Sequence, residues 1–133
     1  MLLYVLLGRL LAGSGVALAL ATSLIEGKGD LAAYAITPLG FIAGMITGSN
    51  VGANAALMPV QAALGQVLGL PVLLAPALHN FAGAAGAGMS IAGTAMLCAL
   101  LADGTKPLQV WRLMLPSMAM VMLFGTFALI LMR

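Results

Sequence analysis

The stretch Ile46-Thr47-Gly48-Ser49-Asn50-Val51-Gly52-Ala53-Asn54 places small and hydrogen-bonding residues inside an almost wholly apolar sequence. Gly40, Gly44, Gly48 and Gly52 recur every four residues. In a helix those positions share one face, and a face without side chains lets another backbone approach closely. Asn50, Asn54 and Gln61 follow at intervals of four and seven, which makes one polar stripe on a helix. Amide side chains are costly in hydrocarbon, so the stripe must face protein, water or a ligand. Spacing alone leaves two readings open: glue between helices, or a binding site.

The surroundings decide the solvent. Hydrophobic residues make up 63% of the chain and charged residues 6%, and the mean hydropathy is +1.18. A soluble domain of 133 residues could not hide that much apolar surface, so the chain reads as an integral membrane protein. Long Ala/Leu/Met/Gly runs without strand-like alternation point to helices rather than a barrel. The net charge of +2 is small and scattered, which argues against a nucleic-acid partner and leaves membrane lipid as the surrounding medium. Cys98 is the single cysteine and permits no internal disulfide. The ten methionines read as lipid-facing and gap-filling side chains rather than metal ligands. No cofactor is expected.

In chain order, residues 2–25 form a first apolar segment. At about 1.5 Å per residue it is long enough to cross a hydrocarbon core of about 30 Å. Arg9 interrupts it, either snorkelling to a headgroup or pairing inside a larger bundle. A secretory leader is the rival reading, from Ala17-Leu18-Ala19. Retention is expected, because the early positive charge lies inside the apolar run. Glu26–Asp30 is a polar loop. Residues 31–69 then make two short arms, the first opened by Pro38 after a Thr37 cap, meeting at a tip near residues 47–54. Arms this short suggest a re-entrant hairpin, whose non-helical tip survives at membrane depth only beside protein or water. One long helix with a polar kink is the competing reading.

Residues 71–102 read as a span opened by Pro71 and broken at mid-membrane. His79-Asn80 and the glycine-rich run to Gly88 make a poor helix, so that run is the expected unwound point. Close packing through small residues is the plainer alternative there. Residues 108–132 complete a third span behind Pro107, with Pro116 as an expected kink. Residues 1–133 thus read as one all-α membrane module: three spanning helices, one of them broken, plus one re-entrant helical hairpin. Arg9, Lys106 and Arg112 on one side outnumber Lys28 and Arg133 on the other. That asymmetry puts the N-terminus in the cytoplasm.

The ordered landmarks Thr47-Gly48-Ser49-Asn50, Asn54, Gln61, His79-Asn80, Gly83, Gly86, Ser90, Ala92 and Cys98 resemble the C-terminal part of the L-lactate permease family. The resemblance covers most of residues 37–115. It implies a proton-coupled secondary transporter of lactate, glycolate and related 2-hydroxy-monocarboxylates, in the inner cell membrane. It also implies the second inverted repeat of an ion-transporter-superfamily fold, in which hairpin tips and broken helices build the site. By that resemblance Ser49, Asn50, Asn54, His79 and Asn80 bind substrate. Thr47, Gly48, Gly83, Gly86 and Ser90 form the tip and helix break that serve coupling. The expected partners are a small organic anion, a proton, and a missing N-terminal repeat or partner chain.

This chain departs from the family pattern at four positions. Val51 stands where the family has Thr, His79 where it has Gln, and Ile91 and Gly93 where it has the Pro and Lys of a Ser-Pro-Ala-Lys stretch. Loss of the Lys removes a charge partner for a carboxylate, while His79 supplies a group that titrates near neutral pH. The alternative from another class is a small membrane scaffold or assembly subunit that transports nothing. An enzyme is not expected. Ser49, His79 and Asp103 would make an odd triad, with Asp103 in a loop at the membrane edge and Ser49 deep.

Overall fold

The computed structural model describes residues 2–133. Among them are seven α-helices: α1 (Leu2–Gly13), α2 (Val16–Ile25), α3 (Ile36–Thr47), α4 (Asn50–Val67), α5 (Leu74–Gly88), α6 (Ile91–Leu101) and α7 (Pro107–Met132). A 3-10 helix, Gly29–Ala35, leads into α3. No strand is present among the described residues. Three stretches are long and apolar enough to cross a membrane: Gly29–Thr47, Leu74–Leu101 and Pro107–Met132. The arms of the hairpin are therefore longer than the sequence suggested, because the 3-10 helix extends the first of them and α4 runs unbroken through Pro59 for 18 residues.

The first apolar segment is not a single straight span. Its two halves, Val5–Leu11 and Val16–Ile25, meet at 69°. The bend sits at Ser14-Gly15, where Gly15 takes the left-handed conformation at φ 75° and halts the helical ladder. Nor does Thr37 cap α3. The helix begins at Ile36, Pro38 lies in its first turn where no N–H is needed, and the Thr37 side chain packs on Gly125 of α7. Likewise Pro71 lies in the turn before α5, and its carbonyl accepts from the Leu74 N–H at 2.9 Å.

Residue pairings fix the helix directions. Gly40 meets His79 and Gly44 meets Gly83, so α3 and α5 run parallel. Ala53 meets His79 and Gly65 meets Ala75, so α4 runs back antiparallel to both. α3 and α4 therefore form a hairpin whose two outer ends lie at the same end of the bundle. That end is closed by a cluster of Ile36, Leu64, Leu74, Leu78 and Leu129, with Ala21 of α2 packed into it. There Arg133, at the end of α7, pairs with Asp30. α7 is antiparallel to α3 and α5: Gly125 lies on Thr37, Met114 and Met118 lie on the Phe41–Ala82–Met89 cluster, and Trp111 reaches Thr94.

Lipid tails are as apolar as leucine, so burying apolar surface does little to join helices in a membrane, and close packing must do it instead. The α3–α5 seam shows how. A methyl group at Gly44 would collide with the Gly83 carbonyl, and one at Gly86 with the Phe41 carbonyl. The two backbones touch because both helices are notched with glycine. Large apolar residues, such as Leu100 and Leu113, point outward instead.

Glycine density also accounts for one expectation that failed. The run His79–Gly88 is not unwound; α5 is helical through all of it. Propensity disfavours glycine in a helix by about 1 kcal/mol each, but contact with α3 makes the absent side chains an asset. The break comes later, at Met89-Ser90.

Candidate functional site

The tip of the hairpin is two residues long. Gly48 ends α3 in the left-handed conformation at φ 65°, its N–H donating to the Gly44 carbonyl at 2.9 Å. Ser49 is extended and caps α4, its Oγ accepting from the Gly52 N–H at 3.2 Å. The Thr47 hydroxyl braces the turn, lying 2.7 Å from the Ala43 carbonyl and 2.9 Å from the Ser49 carbonyl.

The break between α5 and α6 repeats this local design. Ser90 is extended and caps α6, its Oγ accepting from the Gly93 N–H at 3.1 Å. Thr94 donates to the Ser90 carbonyl at 2.8 Å, and the Trp111 indole N–H donates to the Thr94 hydroxyl at 3.0 Å. That chain ties the start of α6 to α7. Ser-x-x-Gly thus occurs twice, at Ser49–Gly52 and Ser90–Gly93, each time starting a helix.

The two sites touch. A Cβ on Gly48 would rest 3.6 Å from Ser90 Oγ and 3.7 Å from Ser90 Cβ. The N-termini of α4 and α6 therefore come together. Each carries about half a positive charge in orphaned N–H groups. The capping serines take up the Gly52 and Gly93 N–H groups, and the first helical N–H groups, those of Asn50, Val51, Ile91 and Ala92, have no partner within their own helix. Beyond Ser90, α6 continues for 11 residues, about 16 Å, so the tip stops well short of that end of the bundle.

One helical turn below the tip, three amides gather between α4 and α5. Asn80 Oδ1 accepts from Asn50 Nδ2 at 3.0 Å and from Asn54 Nδ2 at 2.6 Å. The Oδ1 atoms of Asn50 and Asn54 are buried without a partner. Gly83 makes room for the Asn50 amide, since a Cβ there would come within 2.9 Å of its Oδ1. Asn80 itself is exposed at the surface of the bundle. Both lone pairs of Asn80 Oδ1 are thus taken, and its exposed NH2 remains free to donate to an acceptor on a ligand or a covering chain.

His79 lies elsewhere than its neighbour Asn80. It is fully buried, with Nε2 3.3 Å from the Ala53 carbonyl and Nδ1 facing Gly40 without a partner. Gln61, the third member of the expected polar stripe, is also buried, its Oε1 unpartnered. The structure thus brings Thr47, Gly48, Ser49 and Ser90 to one point, and Asn50, Asn54, Asn80 and Gly83 to another just below it. His79 and Gly86 sit in the α3–α5 seam. Thr94 and Trp111, which pin the break, escaped sequence reasoning. The second Ser-x-x-Gly could have found the break itself. No cluster of three or more His, Cys, Asp or Glu side chains able to hold a metal occurs among the described residues.

Comparison of the chain with models of protein families, with curated proteins and with solved structures gives no match.

Proposed function

We propose that this chain is the C-terminal module of a lactate-permease-like secondary transporter for 2-hydroxy-monocarboxylates, seated in the inner cell membrane and coupled to protons. The observation that carries the reading is the contact between the hairpin tip at Gly48-Ser49 and the helix break at Ser90. Two helix N-termini meeting inside a membrane bundle make a site for a carboxylate, because their free N–H groups and dipoles favour negative charge there.

In this reading α3 and α4 enter and leave the membrane on one side, and the tip lies at depth. Ser49 and Ser90 hold the two termini open toward the ligand, while Asn50, Asn54 and Asn80 bind its hydroxyl. A ligand lacking that hydroxyl leaves buried amides unpaired, which gives discrimination without fixed charge. His79 carries the coupling proton from inside the seam. A second repeat or partner chain covers the amide face.

The experiment is uptake of labelled lactate into vesicles holding the chain together with its partner. Asn50→Ala should abolish uptake and leave membrane insertion intact; undiminished uptake would remove the tip from the mechanism. A second reading, a scaffold that moves nothing, is favoured by the glycine seam between α3 and α5. Lactate counter-flow in the same vesicles separates the two, since a scaffold gives none.

A further inference from the structure

The bundle is thick at one end and thin at the other. Between the Arg133 end and the hairpin tip, α2, α3, α4, α5 and α7 share the cross-section. α1 crosses α4 short of the tip, where a Cβ on Gly8 would collide with the Ala55 carbonyl. Past the tip α6 and the first turns of α7 continue, for the 11 residues of α6, about 16 Å. α6 buries only Thr94 and packs chiefly on α7.

Lipid is a poor filler for the space beside α6. At its base Gly48 is exposed, Val51 is 50% exposed and Ile91 54%, and the N–H groups of Asn50, Val51, Ile91 and Ala92 have no partner within their own helices. Hydrocarbon leaves such groups unsatisfied, so backbone of this kind at depth must lie against protein or water. A second copy in the same orientation would thicken the end that is already thick. A copy turned over brings its thick half beside α6 and its tip beside this one, which evens the cross-section through the membrane.

Loop charge admits that copy. The crossing at Ala55 puts Arg9 level with the amide cluster, inside the span, and removes it from the count that favoured one orientation. What remains is Lys28 and Arg133 at one end against Lys106 and Arg112 at the other. Orientation follows the difference in lysine and arginine between the two sides, while aspartate and glutamate count for little. Two against two leaves no difference, so the chain enters the membrane either way round.

We propose that the partner of this chain is a second, inverted copy of itself, related by a two-fold axis in the membrane plane and packed through the hairpin tip and the open side of α6. The pair walls in the site from both sides and sets four helix N-termini around it, two from each copy, a field that suits an anion. As the partner at the transport site this copy rests on the transporter reading; the pairing itself rests on shape and loop charge.

The first test reads orientation. In a Cys98→Ala background, Glu26→Cys marks the Arg133 end and Asp103→Cys the other, and neither change alters the count of cations. The full chain is expressed in a bacterial inner membrane and treated from outside with a maleimide that cannot cross it. About half of the molecules should react at each position. Near-complete reaction at one and almost none at the other overturns the proposal.

The second test locks orientation. Ser23→Lys with Glu26→Lys, or Asp103→Lys with Thr105→Lys, makes the loop count four against two in opposite senses. Oppositely locked forms, carrying different tags, should co-purify at least tenfold better than two forms locked alike. Equal pairing of like and opposite forms, or no pairing in any combination, overturns the inverted pair; the labelling result stands whether or not a locked form folds. Lactate uptake then separates the two readings. Pairing of opposite forms without uptake keeps the inverted pair and removes the transporter. A chain of one orientation that takes up lactate only beside a partner of different sequence removes the inverted pair and keeps the transporter.

Discussion

Asn80→Ala is the substitution that weighs binding site against glue most sharply. Its Oδ1 is the common acceptor for Asn50 and Asn54, at 3.0 and 2.6 Å, so one change strands two NH2 groups. Side-chain hydrogen bonds in membrane bundles average about 0.6 kcal/mol and reach about 1.7. Two of them give roughly 1.2 kcal/mol, with a ceiling near 3.4. If the stranded donors were sealed from water, each would instead cost about 1–3 kcal/mol, or roughly 2–6 together. Asn80 is exposed, so in a wetted site water replaces the lost acceptor and the lower figure applies. The assay is reversible unfolding in mixed micelles of rising SDS fraction, run as double-mutant cycles of Asn80→Ala with Asn50→Ala and with Asn54→Ala. A loss near 1 kcal/mol, with positive coupling in both cycles, is the expected result. A loss above about 4 kcal/mol would mark the amides as sealed glue and refute the site. No loss and no coupling would refute the amide cluster itself.

Gly44→Ala should destabilise the bundle by about 1–3 kcal/mol in the same assay, because the new methyl meets backbone rather than a side chain that can swing away. Gly88→Ala makes the opposite control: its Cβ would meet open space, so helix propensity should stabilise by up to about 1 kcal/mol. In the loop before α7, the Asp103 carboxyl is held below its ordinary range by hydrogen bonds from Thr105, whose N–H lies 2.9 Å from Oδ1. An aspartate depressed in this way contributes stability above its unfolded value and loses it as pH falls through the folded one. An NMR titration should place its midpoint below that of an unstructured peptide, and a midpoint at or above the peptide's would contradict the loop geometry.

The hairpin could be read from the sequence because Gly48-Ser49-Asn50 interrupts an apolar run with a helix stop and a helix start in immediate succession. The position of the break in the next span could not be read from glycine content. Glycine weakens an isolated helix, yet in Gly83 and Gly86 the same residue forms the close seam with Gly40 and Gly44 of α3, and only tertiary contact tells the two uses apart. The local signal for the true break was Ser90-x-x-Gly93, an echo of the hairpin cap and independent of glycine density. The bend in the first segment had its own signal in Ser14-Gly15, masked by the length of apolar sequence around it. Arg9 read as a snorkelling or buried charge because nothing near it in the chain is polar. Its level in the bundle is set only by the crossing of α1 and α4 at Gly8 and Ala55.

The meeting of tip and break can be measured directly. With Cys98 replaced by alanine, Gly48→Cys and Ser90→Cys are introduced together into the full chain and exposed to a mild oxidant in membranes. The separation of 3.7 Å between the two Cβ positions lies within the range a disulfide requires. A side chain at Gly48, with φ 65°, costs about 1–2 kcal/mol, so the reduced double variant is first shown to insert and to unfold at a denaturant fraction close to that of Gly48→Ala; rapid, near-complete formation of an intramolecular disulfide is then expected. Two thiols that stay free under oxidation would place the chain's turn away from Ser90 and end the case for a shared site.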